Sequence, residues 1–160
     1  MKGRQTRREF CSHACQAVSL AAFAGALGSV LEGCGGAGGP TSPSGSVQGL
    51  ATVSATDADG SVVVTIESTS PLAAVGSAAL VRSPSALLLV AHVAQDSFTA
   101  LSSTCTHQAC TITGYASRTF VCPCHGSQFD TSGRVLAGPA FTPLRQFHTQ
   151  FAGNVLAITA

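Results

Sequence analysis

Two short segments carry the residues whose types and spacing can do chemistry, Cys105-Thr106-His107 and Cys122-Pro123-Cys124-His125. Each offers one thiolate and one imidazole: Cys105 with His107, and Cys122 with His125. Two soft thiolates and two imidazoles suit a binuclear iron–sulfur centre with chemically unequal irons, one held by thiolates and the other by neutral histidines. Replacing two thiolates by histidines removes negative charge, so the reduced state forms more easily and the potential rises. The same four donors would also satisfy a tetrahedral structural zinc. Zinc leaves Cys110 and Cys124, inside the same segments, without a role, and Cys-x-His is a tight spacing for two ligands of one ion.

The strings Cys105-Thr106-His107-Gln108-Ala109-Cys110 and Cys122-Pro123-Cys124-His125-Gly126-Ser127 resemble the two boxes of Rieske proteins. The match is to the disulfide-containing branch, found in cytochrome bc-type complexes and in the small subunit of arsenite oxidase. The resemblance implies one [2Fe-2S] cluster per chain, ligated by Cys105, His107, Cys122 and His125. It implies a disulfide between Cys110 and Cys124 that clamps the loops over the cluster. His107 and His125 would each use one ring nitrogen for iron and turn the other to solvent, where it can exchange a proton. Ser127 resembles the family serine whose hydroxyl bonds a bridging sulfide and raises the potential. Phe129 stands where high-potential members often carry a tyrosine that donates to a cysteine sulfur, and phenylalanine has no donor. Gly138-Pro139-Ala140 resembles the family's proline loop, a rigid cover over the cluster.

The elements that must position these residues come from a 160-residue chain with 9% charged residues, a formal net charge of +1 and no Trp. No basic patch or aromatic platform points to nucleic acid. A structural disulfide belongs in an oxidising compartment, so an export signal is expected. Lys2, Arg4, Arg7 and Arg8 precede an apolar run at 14–31, the charged-then-apolar order of a signal peptide. Arg7 and Arg8, with Phe10 two residues beyond, resemble a twin-arginine motif. That route carries folded proteins, as a cluster loaded in the cytoplasm requires. Leu31-Glu32-Gly33-Cys34 resembles a lipobox, with Glu32 departing from the small or apolar residue expected there. Lipidation at Cys34, an uncleaved membrane anchor and a soluble product all stay open. The expected organisation is a signal or anchor at 1–34, a Gly/Ser/Pro linker at 35–46 and a Rieske domain at 47–160. Such a linker has a reach of ~20 Å and would let the head move.

The domain reads as all-β, since no segment after Val47 keeps a helical period. Strands are expected at 61–67, 79–82, 86–95, 98–102 and 135–137, with a closing hairpin of 144–151 and 155–159. A further pair, 111–113 with 118–121, is expected to turn at Gly114-Tyr115. The resemblance implies a stacked antiparallel sandwich with a cluster-binding subdomain at about 103–140. His92 and His148 receive no role.

The function expected is electron transfer at the periplasmic face of a bacterial inner membrane. The leading reading is a subunit of a quinol:cytochrome c-type oxidoreductase, with quinol as donor and cytochrome b/c-type partners. A relay subunit of a molybdenum enzyme such as arsenite oxidase, a freestanding periplasmic carrier and a structural zinc module are the alternatives. No catalytic triad or substrate pocket appears, so the chain is expected to be inert alone.

Overall fold

The computed structural model of the chain describes residues 47–159. The expectations at Arg7, Arg8 and Cys34, and the linker at 35–46, lie outside these residues. Among the described residues the regular structure is thirteen strands, and no helix is long and apolar enough to cross a membrane.

The larger sheet has eight strands: β2 (Ala51–Ser54), β3 (Thr56–Ala58), β4 (Ser61–Thr65), β5 (Ala78–Arg82), β6 (Leu87–Ala94), β7 (Ser97–Ser102), β12 (Gln146–Ala152) and β13 (Val155–Thr159). Their spatial order is β2-β5-β6-β7-β12-β13-β4-β3. β12 is the corner. Its first residues, Gln146 and Phe147, pair with β7, and the stretch from His148 pairs with β13. The sheet thereby folds into two layers. The smaller sheet contains β1 (Gln48–Gly49), β8 (Gly114–Ala116), β9 (Thr119–Val121), β10 (Gln128–Asp130) and β11 (Val135–Ala137), in the order β1-β8-β9-β10-β11.

Burial along β5, β6 and β7 explains their composition. Ala79, Val81, Leu88, Val90, Phe98 and Ala100 face one core, packed against Val62, Val64, Leu156 and Ile158. The alternate residues Leu80, Leu89, Ala91 and Leu101 face a second core with Ile112, Phe120 and Phe129. Successive side chains of a strand point to opposite faces. A strand covered on both sides is therefore apolar throughout, as Leu87-Leu88-Leu89-Val90-Ala91 is. The middle layer lies between the second layer of the sandwich and the small sheet.

Asp59-Gly60 joins β3 to β4, with both residues at positive φ, 49° and 76°. Gly153-Asn154 joins β12 to β13. The expected turn at Gly114-Tyr115 is wrong. Those residues are in β8, pairing with Val121 and Phe120, and the chain reverses at Ser117-Arg118. Both turn residues have positive φ, 48° and 62°. Two-residue hairpins of this kind prefer Asn-Gly or Asp-Gly, so Ser-Arg left no signal. The Arg118 side chain donates to the Val93 carbonyl at 2.8 Å and ties this turn to β6. The strands β1, β2, β3, β8 and β10 were not expected from the sequence, and 111–113, expected as a strand, contributes only the Thr104–Thr111 bridge.

Candidate metal centre

The two boxes are the same loop built twice. Each spans six residues closed by an antiparallel pair, Thr104 with Thr111 around the first and Val121 with Gln128 around the second. In the first, the Cys105 N–H donates to the Cys110 carbonyl and the Ala109 N–H to the Cys105 carbonyl, at 2.8 and 2.9 Å. In the second, the Cys122 N–H donates to the Ser127 carbonyl and the Gly126 N–H to the Cys122 carbonyl, at 2.9 and 3.0 Å. The fifth residue of each loop has positive φ, Ala109 at 56° and Gly126 at 75°. The turn brings each histidine out beside its cysteine while the cysteine stays below, in the second core.

The side chains fall into three groups. Cys105 and Cys122 are buried free thiols, 2% and 1% exposed. Cys110 and Cys124, fourteen residues apart, are joined by a disulfide that ties box to box. The His107 and His125 rings meet edge to face, with centroids 4.9 Å apart. Burial pushes the Cys122 thiol up in pKa, and its contact with Cys105 acts in the same direction against the pull of the Cys124 and His125 amides.

The sulfurs of Cys110, Cys122 and Cys124 lie within 4.8 Å of one another. Two of them are bonded to each other, so this trio is not a ligand set. The set that fits a cluster is the two free thiols with the two histidines. His107 Nδ1 gives the deciding observation. It is buried and has no hydrogen-bond partner. An orphaned buried nitrogen costs about 1–3 kcal/mol, and a metal bond relieves it. One soft pair, one imidazole pair and a buried ring nitrogen without a partner fit the donor set of an unequal diiron centre.

A strap at 138–144 crosses both boxes. It starts with a cis Gly138–Pro139 peptide. The Ala140 N–H donates to the buried Ser127 Oγ at 3.0 Å, and the Thr106 hydroxyl donates to the Thr142 carbonyl at 2.6 Å. The Leu144 N–H then bonds the Gly133 carbonyl at 2.9 Å. The expected cover is therefore fastened once to each box. Thr106 and its partner Thr142 were missed in the sequence, where a threonine between a cysteine and a histidine carries no signal of its own. Phe129 is fully buried in the core that holds Cys105 and Cys122.

Residues 57–148, more than half of the chain and including both boxes, match the Rieske [2Fe-2S] domain family. The chain belongs to the Rieske family. Rieske domains bind a [2Fe-2S] cluster, and this one carries the cysteines to do so. Among curated relatives, the cytochrome b6-f complex iron–sulfur subunit of Trichodesmium erythraeum (strain IMS101) is 40% identical over 60 residues, 37% of this chain and 34% of that protein. The subunit of the same name from Prochlorococcus marinus (strain MIT 9301) is 35% identical over 72 residues, 44% of this chain and 40% of that protein. The Rieske chain thus spans between about a third and two fifths of the length of these relatives. Among solved structures, the plasma membrane Rieske protein PetC3 from Synechocystis PCC 6803 is 28% identical, with a TM-score of 0.45 over 63% of this chain and 87% of that one. Naphthalene 1,2-dioxygenase aligns with a TM-score of 0.50 at 16% identity, over 61% of this chain and 25% of that one. At that identity the likeness speaks to the fold alone.

The remaining polar features lie apart from the boxes. His92 is buried in β6, stacked on Phe98 with centroids 4.2 Å apart. Its Nδ1 lies 2.9 Å from the Leu72 carbonyl, and since a carbonyl only accepts, Nδ1 carries the proton. A cavity of about 370 Å3, lined by Val62, Leu88, Phe147 and Ile158 with Asp57 and Ser85 also in its wall, shares no residue with either box.

Proposed function

We propose that this electron-transfer protein is a subunit of a quinol:cytochrome c-type oxidoreductase at the periplasmic face of a bacterial inner membrane. The supporting observation is the likeness of its box-bearing segment to cytochrome b6-f iron–sulfur subunits, in a chain whose boxes are joined by a disulfide. Its electron donor would be quinol and its acceptor a c-type cytochrome. Arg7 and Arg8 would direct export of the folded protein, and the N-terminal segment or a lipid on Cys34 would hold it at the membrane.

Cys105 and Cys122 would hold one iron, and His107 and His125 the other. The cluster supplies reversible one-electron chemistry. The chain's own residues do the rest. The disulfide and the strap hold the boxes together and keep water from the sulfurs. Ser127 is positioned by the Ala140 amide, so its own hydroxyl proton is left to point at the cluster. Phe129 offers no donor, so only Ser127 of the two raises the potential. The second nitrogen of the exposed His125 ring could take a proton from a bound quinol as its electron leaves and release that proton to solvent.

Chemical analysis tests the centre: about two irons and two labile sulfides per chain, with a Rieske-type paramagnetic signal on reduction. Zinc without sulfide would sink the ligand assignment. Solubilised native membranes test the complex. Co-purification with b- and c-type haem is expected, and co-purification with a molybdopterin subunit would replace this reading with the relay one.

A further inference from the structure

Three of the four box sulfurs lie together, and this has a chemical consequence for the protein without its cluster. The Cys122 sulfur lies within 4.8 Å of both sulfurs of the Cys110–Cys124 bond. It is a free thiol in a buried site, on a loop pinned by its own backbone hydrogen bonds. A cysteine sulfur held this close to a disulfide is placed for thiol–disulfide exchange.

We propose that Cys122 attacks the Cys110–Cys124 disulfide when no iron holds its sulfur, giving a Cys110–Cys122 disulfide and a free Cys124. This rests on the reading of Cys122 as an iron ligand. The Cys122 thiol gives its proton to water, and its sulfur forms a bond to the Cys110 sulfur. The Cys110–Cys124 bond breaks with its electron pair on the Cys124 sulfur, which takes a proton from water. No oxidant or reductant is consumed. Attack falls on Cys110 for two reasons. The leaving sulfur then belongs to Cys124, an exposed residue whose thiolate water can stabilise. Attack on Cys124 would instead close a ring across Pro123 alone, whose fixed φ opposes the disulfide geometry.

The exchange makes cluster loss self-sealing. A ligand sulfur is consumed, the boxes stay tied, and iron and sulfide cannot re-enter until a reductant frees Cys122. Iron bound to Cys122 would withhold its sulfur from the reaction and so preserve the Cys110–Cys124 disulfide.

The test uses the full-length chain, analysed first for iron and sulfide, so that failure of the ligand reading shows before the exchange is examined. The cluster is removed by chelation without oxygen or added thiol. Samples are acid-quenched over time, labelled with N-ethylmaleimide and mapped by mass spectrometry. The label on Cys122 should fall while the label on Cys124 rises in step and the label on Cys105 stays constant. Iron and sulfide should then fail to restore visible absorbance until dithiothreitol is added. The proposal is overturned if Cys105 and Cys122 keep their labels and Cys110–Cys124 stays intact. Joint loss of label from Cys105 and Cys122, or label scattered over all four box cysteines as in guanidinium, overturns it as well. Cys105→Ser, which cannot complete the ligand set, should show the same transfer of label without chelation.

Discussion

Ala109 is where the first box departs from the second. It holds φ 56° where its counterpart Gly126 holds 75°. A side chain in that region costs about 1–2 kcal/mol, a cost glycine does not bear. Ala109→Gly should therefore stabilise the protein by roughly 0.5–1 kcal/mol after the added freedom of the unfolded chain is subtracted, read as a raised unfolding midpoint. No atom lies within 4 Å of a Cβ built on Gly126, so Gly126→Ala should cost the backbone strain alone. Ser127 tests the electronics. Reduction adds an electron to the cluster, so a donor to its sulfurs stabilises the reduced form more. Ser127→Ala should lower the potential by on the order of 40 mV, one net hydrogen bond expressed for a single electron. It should also orphan the Ala140 N–H and loosen the strap, so cluster loss should quicken; an unchanged potential in voltammetry would remove Ser127 from the tuning role. The four proposed ligands and the disulfide pair were legible because each is a rare, reactive type at fixed spacing. The strap's two fastenings were not. They join a hydroxyl to a carbonyl and an amide to a hydroxyl between residues 36 and 13 apart, pairs that any chain of this composition contains by the dozen.

The hairpins that carry the boxes depend on their turns. The β10–β11 turn is built on Asp130, whose carboxylate accepts from the Ser132 amide and hydroxyl and from the Arg134 amide and Nε, all at 2.7–2.9 Å. Partial burial pushes this carboxyl up, but the four donors outweigh it and hold its pKa at about 2. A carboxyl depressed in the folded state adds stability above its unfolded pKa. That stability is lost as pH falls from about 4 toward 2. Because Arg134 is largely exposed, water screens the pair, and the contribution is on the order of 1 kcal/mol. Asp130→Asn should cost about that much at neutral pH and flatten the pH dependence of unfolding in the acid window. A parallel loss at every pH would show the carboxylate charge to be irrelevant. Turn chemistry also decides what could be read of these elements. Asp59-Gly60, Ser132-Gly133 and Gly153-Asn154 announce themselves through glycine. Ser117-Arg118 adopts the same positive φ without one and is held by Arg118 reaching to Val93. No pattern within a few residues could announce a turn stabilised by a strand 25 positions earlier.

At the scale of the whole molecule, the middle layer connects the sandwich to the cluster-bearing sheet. Its apolar run showed a strand but not that both of its faces were covered. Continuous apolarity is equally the mark of a buried strand and of a buried helical segment. The short, exposed strands β1, β2 and β3 left no periodicity because few of their side chains are buried. The two faces can be separated by neighbouring residues. Leu88 and Leu89 are adjacent in β6 and buried, 3% and 0% exposed. Leu88 packs in the sandwich core, and Leu89 packs in the core that includes Cys105 and Cys122. Each substitution to alanine should cost about 2–4 kcal/mol by lost burial and the cavity left behind. Their effects on the centre should differ. The Leu89→Ala cavity opens in the core that holds Cys105 and Cys122, so cluster loss followed by visible absorbance should accelerate and the paramagnetic signal should broaden or shift. Leu88→Ala should unfold as readily in denaturant while leaving the signal of the native protein unchanged. If both variants lose the cluster at the same rate under native conditions, loss proceeds by global unfolding. The second core is then no more than a mechanical link between the layers.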